Sequence, residues 1–330
     1  MAKDKKRYKR RGRRSKTRGF ASWSLGKKIG AILGGTLVTV AAIGAVIVAS
    51  KLSKINTVKL DTDKLSVSKE AKKRGSGYLN VALFGLDTRE SGQLGKGNRS
   101  DTIIIASINN DTGEVRLASV FRDTYLDMTT GKFNKANSAY STGGPEQAIK
   151  MLNKNLDLTI EKYISVDFAA MTDAVDLLGG IDIDVDETEI DHLNNYMVET
   201  SKVTGVASKP LTHTGLQTLD GVQAASYCRI RYTAGDDFKR TERQREVIQE
   251  LVRKAKTMEI SKINDIINAV FPKIATNYSN KELLEMAPQM IGYDIADTAG
   301  FPFDRETGTI SGRGSCVIPV NLAENVRQLH

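Results

Sequence analysis

Apolar residues are distributed along this chain in three different ways. Residues 29–50, IGAILGGTLVTVAAIGAVIVAS, carry no charge over 22 residues. At a rise of about 1.5 Å per residue, a helix of that length reaches ~33 Å, enough to cross the hydrocarbon core of a bilayer. Residues 51–77 are polar, rich in Lys, Ser and Asp, and read as a stalk. Beyond them the apolar residues come in short runs. Residues 79–84, LNVALF, are stopped by Gly85 and predict a buried strand. Residues 102–108 form a second run, and the turn-rich Asn109-Asn110-Asp111-Thr112-Gly113 joins it to residues 114–120, where Val115, Leu117 and Ser119 alternate with Arg116 and Ala118. That arrangement predicts a hairpin. Pro145 opens a helical pattern with Ala148, Met151 and Leu152 on one side. Residues 163–166 read as a strand, and residues 168–178 as a helix closed by Gly179-Gly180. Alternation continues to Val317-Ile318-Pro319 and a last helix. Hairpins and crossovers together predict the α/β class: one α-β-α domain over residues 78–330, with a central mixed sheet flanked by helices.

Residues 227–251, YCRIRYTAGDDFKRTERQREVIQEL, combine a helical period with clustered cations. Arg229 and Arg231 lie two apart in a run containing Tyr and Ile, which predicts a strand presenting both on one face. Asp237 is a candidate N-cap for the helix that follows. Its stripe starts at Arg240 and Gln244 and continues as Val247, Ile248 and Leu251, so the stripe that begins with a cation ends facing a core. Arginines pointing inward near a helix N-terminus require an anion, and phosphate fits them through bidentate hydrogen bonds and the helix dipole. The competing reading is a solvated basic helix paired with Glu242, Glu246 and Glu250. Helical spacing does not say whether Arg243 faces phosphate or water.

Charge changes the picture once it is divided. Residues 1–28 hold thirteen Lys/Arg and one acid, Asp4, a local +12, which leaves about −3 of the total +9 for residues 51–330. The outer body is therefore not basic, and no nucleic acid partner is expected. The Lys/Arg excess before the apolar span places residues 1–28 in the cytoplasm, against anionic inner-leaflet lipid, and residues 51–330 outside. The expected topology is a single-pass type II membrane protein. A cleaved signal peptide is the alternative, with Val48-Ala49-Ser50 a weak match to a cleavage site.

Acid and arginine recur together beside the predicted strands. Asp87 and Arg89 follow the carboxyl end of the first run, where α/β sheets place ligands. Arg99 and Asp101 flank the start of the second, after a Gly-rich loop that is not a phosphate-binding P-loop because Lys96 precedes Gly97. Arg122-Asp123 follows the third, with Lys132 and Asn134 after a Gly turn. Asp87 and Asp101 make sense as ligands of Mg²⁺ whose remaining partners are phosphate oxygens and water; exposed salt bridges are the alternative. Asp182, Asp184 and Asp186 imitate the opening of an EF-hand loop, but Glu187 and Leu193 occupy the positions of its Gly and Glu. His192, His213 and His330 have no metal-ligand spacing. The two cysteines, Cys228 and Cys316, lie outside the membrane on this topology, where a disulfide between neighbouring strands is feasible; two separately buried thiols is the equal alternative.

Taken in order, several segments resemble the LytR-CpsA-Psr family of cell-wall glycopolymer ligases. They are Gly85-Leu86-Asp87-Thr88-Arg89, Arg99-Ser100-Asp101-Thr102, Ser119-Val120-Phe121-Arg122-Asp123, Lys132-Phe133-Asn134-Lys135-Ala136-Asn137, Leu178-Gly179-Gly180-Ile181, Arg229-Ile230-Arg231 and the run from Asp237 to Gln244. The resemblance spans residues 78–256; residues 265–330 are less diagnostic. It implies an outer domain that binds a polyprenyl-pyrophosphate-linked glycan and transfers the glycopolymer to a peptidoglycan sugar hydroxyl, releasing polyprenyl phosphate. It implies Mg²⁺ at Asp87 and Asp101, catalysis by these two with Arg122, and pyrophosphate held by Arg89, Arg122, Arg229, Arg231, Arg240 and Gln244, with Arg99 and Lys132 as further candidates. A prenyl pocket between sheet and helices agrees with Val247 and Leu251. A lipid-phosphate-binding regulator and a polyprenyl-pyrophosphate hydrolase are the alternative functions.

Overall fold

The computed structural model describes residues 50, 53–88, 92–231, 236–290 and 292–330. The basic tail, the apolar span up to Ala49, and Arg89 lie outside the described residues. Among the described residues no helix is long and apolar enough to cross a membrane.

In chain order the first elements are β1 (Asn56–Thr57), α1 (Lys69–Arg74), β2 (Tyr78–Asp87), β3 (Arg99–Asn109), β4 (Glu114–Val120), β5 (Tyr125–Asp127), β6 (Phe133–Lys135), α2 (Asn137–Leu156), β7 (Lys162–Asp167) and α3 (Phe168–Leu177). They are followed by β8 (Ile181–Val185), α4 (Glu187–Thr204), β9 (Gly215–Leu219), α5 (Gly221–Tyr227), α6 (Asp236–Lys256), α7 (Ile260–Val270), β10 (Ile274–Thr276) and α8 (Asn280–Met290). The chain continues through β11 (Asp294–Phe301), β12 (Arg305–Ile310), β13 (Gly314–Pro319) and α9 (Leu322–Leu329).

Seven strands form the main sheet in the order β1-β10-β7-β2-β3-β4-β11. The β2–β3 and β3–β4 pairs are antiparallel, while β2–β7 and β4–β11 are parallel. The sheet is mixed, as the pattern of hairpins and crossovers predicts. Both faces of its centre are covered, which is why β2 and β3 read as continuous apolar runs rather than alternating ones. Ala82, Phe84, Leu86, Ile103 and Ile105 pack under α2 through Ile149 and Leu152. Val81, Leu83, Ile104 and Ala106 face the other way, towards Ile248 of α6 and Met286 of α8. A second core joins α3, α4 and α5 to the β8–β9 ribbon through Val175, Ile183, Leu193, Val222 and Tyr227. Helix α2 is broken at Gly143 and Gly144, and Pro145 opens its second part.

Two expectations change. The stalk is not free of the domain: Ile55, Leu65 and Ala71 are buried, Leu65 within the main core, and β1 pairs in parallel with β10. Isolated anchors this far apart leave no periodicity to read. Nor do Arg229 and Arg231 share a strand, because residues 221–227 form helix α5, followed by a turn through Cys228 and Arg229. Asp220 and Gln223 make a capping box at its start. Gly221 lets it approach α3 so closely that a Cβ there would lie 2.2 Å from the Thr172 carbonyl oxygen.

Candidate active site: an arginine cluster beside an apolar cavity

Strands β2 and β3 deliver Asp87 and Asp101 to one end of the sheet. Asp87 lies opposite Arg99 and Leu86 opposite Ser100, but Gly85 pairs with Thr102, so Asp101 is the extra residue of a bulge. A bulge re-aims its side chain. The Asp101 carboxylate accepts a hydrogen bond from Arg122 Nη1 at 2.7 Å. Arg122 extends from the end of β4 and stands half-screened from water. Burial opposes its charge, yet Asp101, Asp237 and Asp123 outweigh burial and raise its pKa.

The first turn of α6 supplies the hub. Asp237 is not an N-cap but a residue of that turn, since the helix begins at Asp236. Its carboxylate takes Arg231 Nε at 3.1 Å and Arg240 Nη1 at 3.2 Å, and lies 3.6 Å from Arg122 Nε. Burial alone would push the Asp237 pKa up; Arg240, Arg122 and Arg231 hold it below the usual carboxylate value. Arg240 also reaches the Asp101 carbonyl oxygen, 3.3 Å from Nη2, and is only 4% exposed. Burial lowers its pKa, and Asp237 offsets this only in part. The Nε donors of Arg122 and Arg240 are buried without a hydrogen-bond acceptor, and the Gln244 Oε1 acceptor is buried without a donor. Unspent donors on buried cations mark a place where an anion is worth several kcal/mol.

Next to this cluster lies an apolar cavity of about 250 Å³, between the sheet and α3, α6 and α7. Leu83, Ile104, Ile164, Met171, Ile248 and Leu251 are among its walls, and Gln244 and Thr102 carry its lining to the residues beside Arg240 and Asp101. Gly85 also lines it, and a Cβ at that position would meet Thr102 Cβ at 2.8 Å. Of the two expected lipid contacts, Leu251 lines the cavity. Val247 does not; it is fully buried in the second core, and Ile248 takes its place. A larger, more polar cavity of about 430 Å³ lies on the opposite face of the sheet and includes none of the candidate site residues.

Residues 44–312 match the model of the LytR_cpsA_psr family. The chain belongs to this family. It is 32% identical over 273 residues to the polyisoprenyl-teichoic acid–peptidoglycan teichoic acid transferase TagU of Enterococcus faecalis, covering 80% of this chain and 84% of that one. A solved Streptococcus agalactiae protein superposes with a TM-score of 0.65 at 24% identity, over 79% of this chain and 90% of its own. The structure of Bacillus subtilis TagT with bound octaprenyl pyrophosphate superposes with a TM-score of 0.56 at 20% identity, over 82% and 92% of the two chains. These two likenesses concern the fold.

Within the LytR-CpsA-Psr domain, then, Asp101, Arg122, Arg231 and Arg240 come together, with Gln244 at the cavity. Four other candidates do not join them. Arg229 pairs with Glu199 at 2.6 Å, bonds Thr200 Oγ1 and lies over Phe168 and Tyr196. Arg99 and Lys132 are exposed, as is Asp87. Arg243 faces neither phosphate nor water: 1% exposed, it donates to Glu189 at 2.8 Å and to the Ile230 carbonyl oxygen. Cys228 and Cys316 are free, buried thiols, Cys228 capping α5 and Cys316 on β13, so the disulfide is absent. Burial pushes the Cys228 thiol up to about 12.

Three contributors have no role in the sequence reading, although Lys135 lies within one of the family segments. Lys135 pairs with Asp123 at 3.1 Å, extending the cluster away from the cavity. Arg305 lies 4.1 Å over the Phe238 ring and 4.9 Å over Phe121, the neighbours of Asp237 and Arg122. The backbone clamps the same loop, with Val317 N–H donating to the Asp123 carbonyl and Phe121 N–H to that of Phe301. Gly300 leaves room for the Phe121 ring, which a Cβ would approach to 2.6 Å.

Among the described residues no group of three or more His, Cys, Asp or Glu could hold a metal ion. Asp87 and Asp101, on neighbouring strand ends, offer two hard carboxylates. That donor set fits Mg²⁺, which commonly takes one or two carboxylates and completes its shell with water and phosphate oxygens.

Proposed function

We propose that this protein is a membrane-anchored phosphotransferase that moves a glycopolymer from a polyprenyl-pyrophosphate carrier to a peptidoglycan sugar hydroxyl. Residues 29–50 would be the anchor and residues 1–28 the cytoplasmic tail. The observation that carries the reading is the apolar cavity adjoining buried arginines with unspent Nε donors, matching a ligand with an apolar chain and a multiply charged head. The relative named TagU and the TagT structure with octaprenyl pyrophosphate support the same substrate class.

In this mechanism Arg122, Arg231 and Arg240 hold the pyrophosphate, and the water-poor cluster stabilises charge as it shifts to the leaving phosphate. Asp237 keeps the three guanidiniums in register before the phosphate takes part of its place as their counter-charge. The acceptor oxygen attacks the glycan-bearing phosphorus as the bond from that phosphorus to the bridging oxygen breaks, and the electron pair leaves on polyprenyl phosphate. Asp87, exposed at the strand end, is the candidate to take the acceptor proton. Mg²⁺ held by Asp87 and Asp101 would neutralise phosphate charge.

The test follows labelled glycan from a lipid pyrophosphate to uncrosslinked peptidoglycan, with and without chelator. Asp101→Asn should cost orders of magnitude in turnover and retain lipid binding through the arginines. Label released as free glycan phosphate with none in the wall would replace the transferase with a hydrolase, and binding without turnover would favour a regulator.

A further inference from the structure

The sheet face that packs under α2 changes character from one end to the other, and the strand register shows it row by row. Near the arginine cluster Phe84 lies opposite Ile103 and Val120 opposite Phe301, four buried apolar side chains. One step along the same face the row is mostly small: Ala82, Ile105, Ala118 and Ala299. The next row is polar throughout, with Asn80 opposite Ser107, Ser107 opposite Arg116, and Arg116 opposite Asp297. Asp297 reaches this face because of a bulge. Ile295 pairs with Val115 and Asp297 with Arg116, so Ala296 is the extra residue, and without it Asp297 would face the other way. Helix α2 ends at Leu156, and Asp157 and Thr159 just after it help wall the space left above these two rows, the cavity of about 430 Å³. Helices α1 and α9 contribute Arg74 and Gln328 to the same lining.

This cavity is polar, held in shape and balanced in charge. Ser107 Oγ donates to Asn80 Oδ1 at 2.6 Å, and Asn80 Nδ2 donates to Thr159 Oγ1 at 3.1 Å, so its floor is fixed by its own hydrogen bonds. Arg74 is engaged by Asp157 at 2.5 Å and Arg116 by Glu114 at 3.1 Å. With Asp157 and Asp297 in the same lining, the two cations leave no surplus positive charge for a polyanion. What the lining offers is a set of planar polar groups: the amides of Asn80 and Gln328, the guanidiniums of Arg74 and Arg116, and the Asp297 carboxylate. One row beyond Asn80 stands Tyr78, 42% exposed and also in the lining. Planar groups with two polar atoms side by side bind neighbouring hydroxyls of a sugar ring in pairs, and an aromatic ring takes the apolar C–H face of that ring. The volume lies within the ~300–1,000 Å³ of small-ligand sites. We infer that this cavity is a second glycan-binding site, one that takes uncharged pyranose units. Asn80 and Asp87 are seven residues apart on β2, about 23 Å, so a sugar held here is not the one that reacts. The site grips a remote part of a glycan chain and raises the local concentration of its reacting end. Because it involves neither phosphate nor lipid, it stands independently of the functional reading above.

The probe is an uncharged tetrasaccharide of β-linked N-acetylglucosamine, titrated by calorimetry into the full-length protein in nanodiscs. Asp297→Ala should weaken it about tenfold, the scale of one hydrogen bond to a carboxylate, and Gln328→Ala should weaken it by several-fold. Both variants should bind octaprenyl pyrophosphate within about twofold of the parent and keep its melting temperature. Arg240→Met should do the reverse, losing the lipid and keeping the tetrasaccharide. Two competitors identify the source of the chain: peptide-free peptidoglycan strands, and a phosphate-linked wall polymer bearing pyranose substituents. Displacement by either supports the site and names its chain. Absence of tetrasaccharide binding, binding that neither substitution weakens, its loss in Arg240→Met, or displacement by neither competitor would overturn the assignment. A parent protein that bound the tetrasaccharide but no polyprenyl pyrophosphate would support this site and overturn the functional reading instead.

Discussion

Arg240 and Arg243 sit one turn apart on α6, both almost wholly buried, and they could hardly be employed more differently. Arg243 is saturated: Glu189 takes its Nε, Ile230 its Nη1, and Tyr227 lies beneath it at 5.8 Å. Glu189 in turn accepts the Asp186 N–H through its other oxygen, completing the capping box of α4. The pair thus pins α6 to the start of α4 inside the second core. Arg240 has no carboxylate to itself. It shares Asp237 with Arg122 and Arg231 and leaves Nε without an acceptor. Burial lowers its pKa, so the folded protein disfavours its charge. The contrast separates a cation that holds the fold from one held ready by the fold, and motif matching does not distinguish them.

The largest expected effect breaks the saturated pair. Arg243→Met leaves Glu189 as a buried carboxylate without its counter-charge and should cost about 3–5 kcal/mol of stability, read by denaturant unfolding of the protein. Adding Glu189→Leu removes the stranded charge and should recover most of that, apart from roughly 1 kcal/mol for the lost capping interaction. If Arg243→Met were as stable as its parent, the structural role assigned to the pair would be wrong.

Arg240→Met should invert the pattern. Removing a cation that burial disfavours should leave ligand-free stability unchanged or slightly raised, because Asp237 keeps Arg122 and Arg231. Affinity for polyprenyl pyrophosphate should fall by at least about 2 kcal/mol, roughly thirtyfold, in a direct binding titration. Stability and binding falling together would show that Arg240 is another structural arginine.

The difference between the two was beyond the sequence for a physical reason. Their helix, its period and its inward face are local properties, and so are the β2–β3–β4 runs and the turn at Asn109–Gly113; all of these were legible. The Glu189–Arg243 partnership joins residues 54 apart, and Arg305 reaches Phe238 from 67 positions further along the chain, so no window of periodicity contains either contact. The strand expected to carry Arg229 and Arg231 fails although a contrary signal precedes it, since residues 221–227 form α5. Asp220-Gly221-Val222-Gln223 is a capping-box sequence, but the Tyr and Ile after it suggested a strand and placed Arg229 and Arg231 on one face. The sequence makes Asp237 a candidate cap because Asp commonly is one; only the fold shows three guanidiniums around it.

A smaller effect should follow from Arg305, which acts on the cluster through its neighbours. Arg305→Ala removes the cation over Phe238 and Phe121 and should cost about 1 kcal/mol of stability. It should also lower kcat for glycan transfer by several-fold with little change in KM, because the Phe121–Asp123 loop can then shift Arg122. Arg305→Lys, which keeps the charge over the rings, should restore part of kcat. Equal behaviour of Ala and Lys would confine Arg305 to the fold.

The smallest and most selective effect is on the acid side of the stability curve. The Asp237 carboxylate is held below its ordinary value of 3.8 against burial, with Arg240, Arg122 and Arg231 facing it and Asp123 hydrogen-bonded beside it. A carboxylate with a depressed folded pKa binds a proton less readily than in the unfolded chain. Its contribution is therefore full above about pH 4 and is lost as pH falls through the folded value. Asp237→Asn takes that contribution away at every pH. The stability difference between parent and variant should be constant from neutrality down to about pH 4 and shrink steadily below it, since the parent then carries a neutral side chain too. Taking the difference cancels the other carboxylates that titrate in the same range. A difference that stayed constant to pH 2 would mean that the hub is held by shape and hydrogen bonding, and that the three arginines do not depend on its charge.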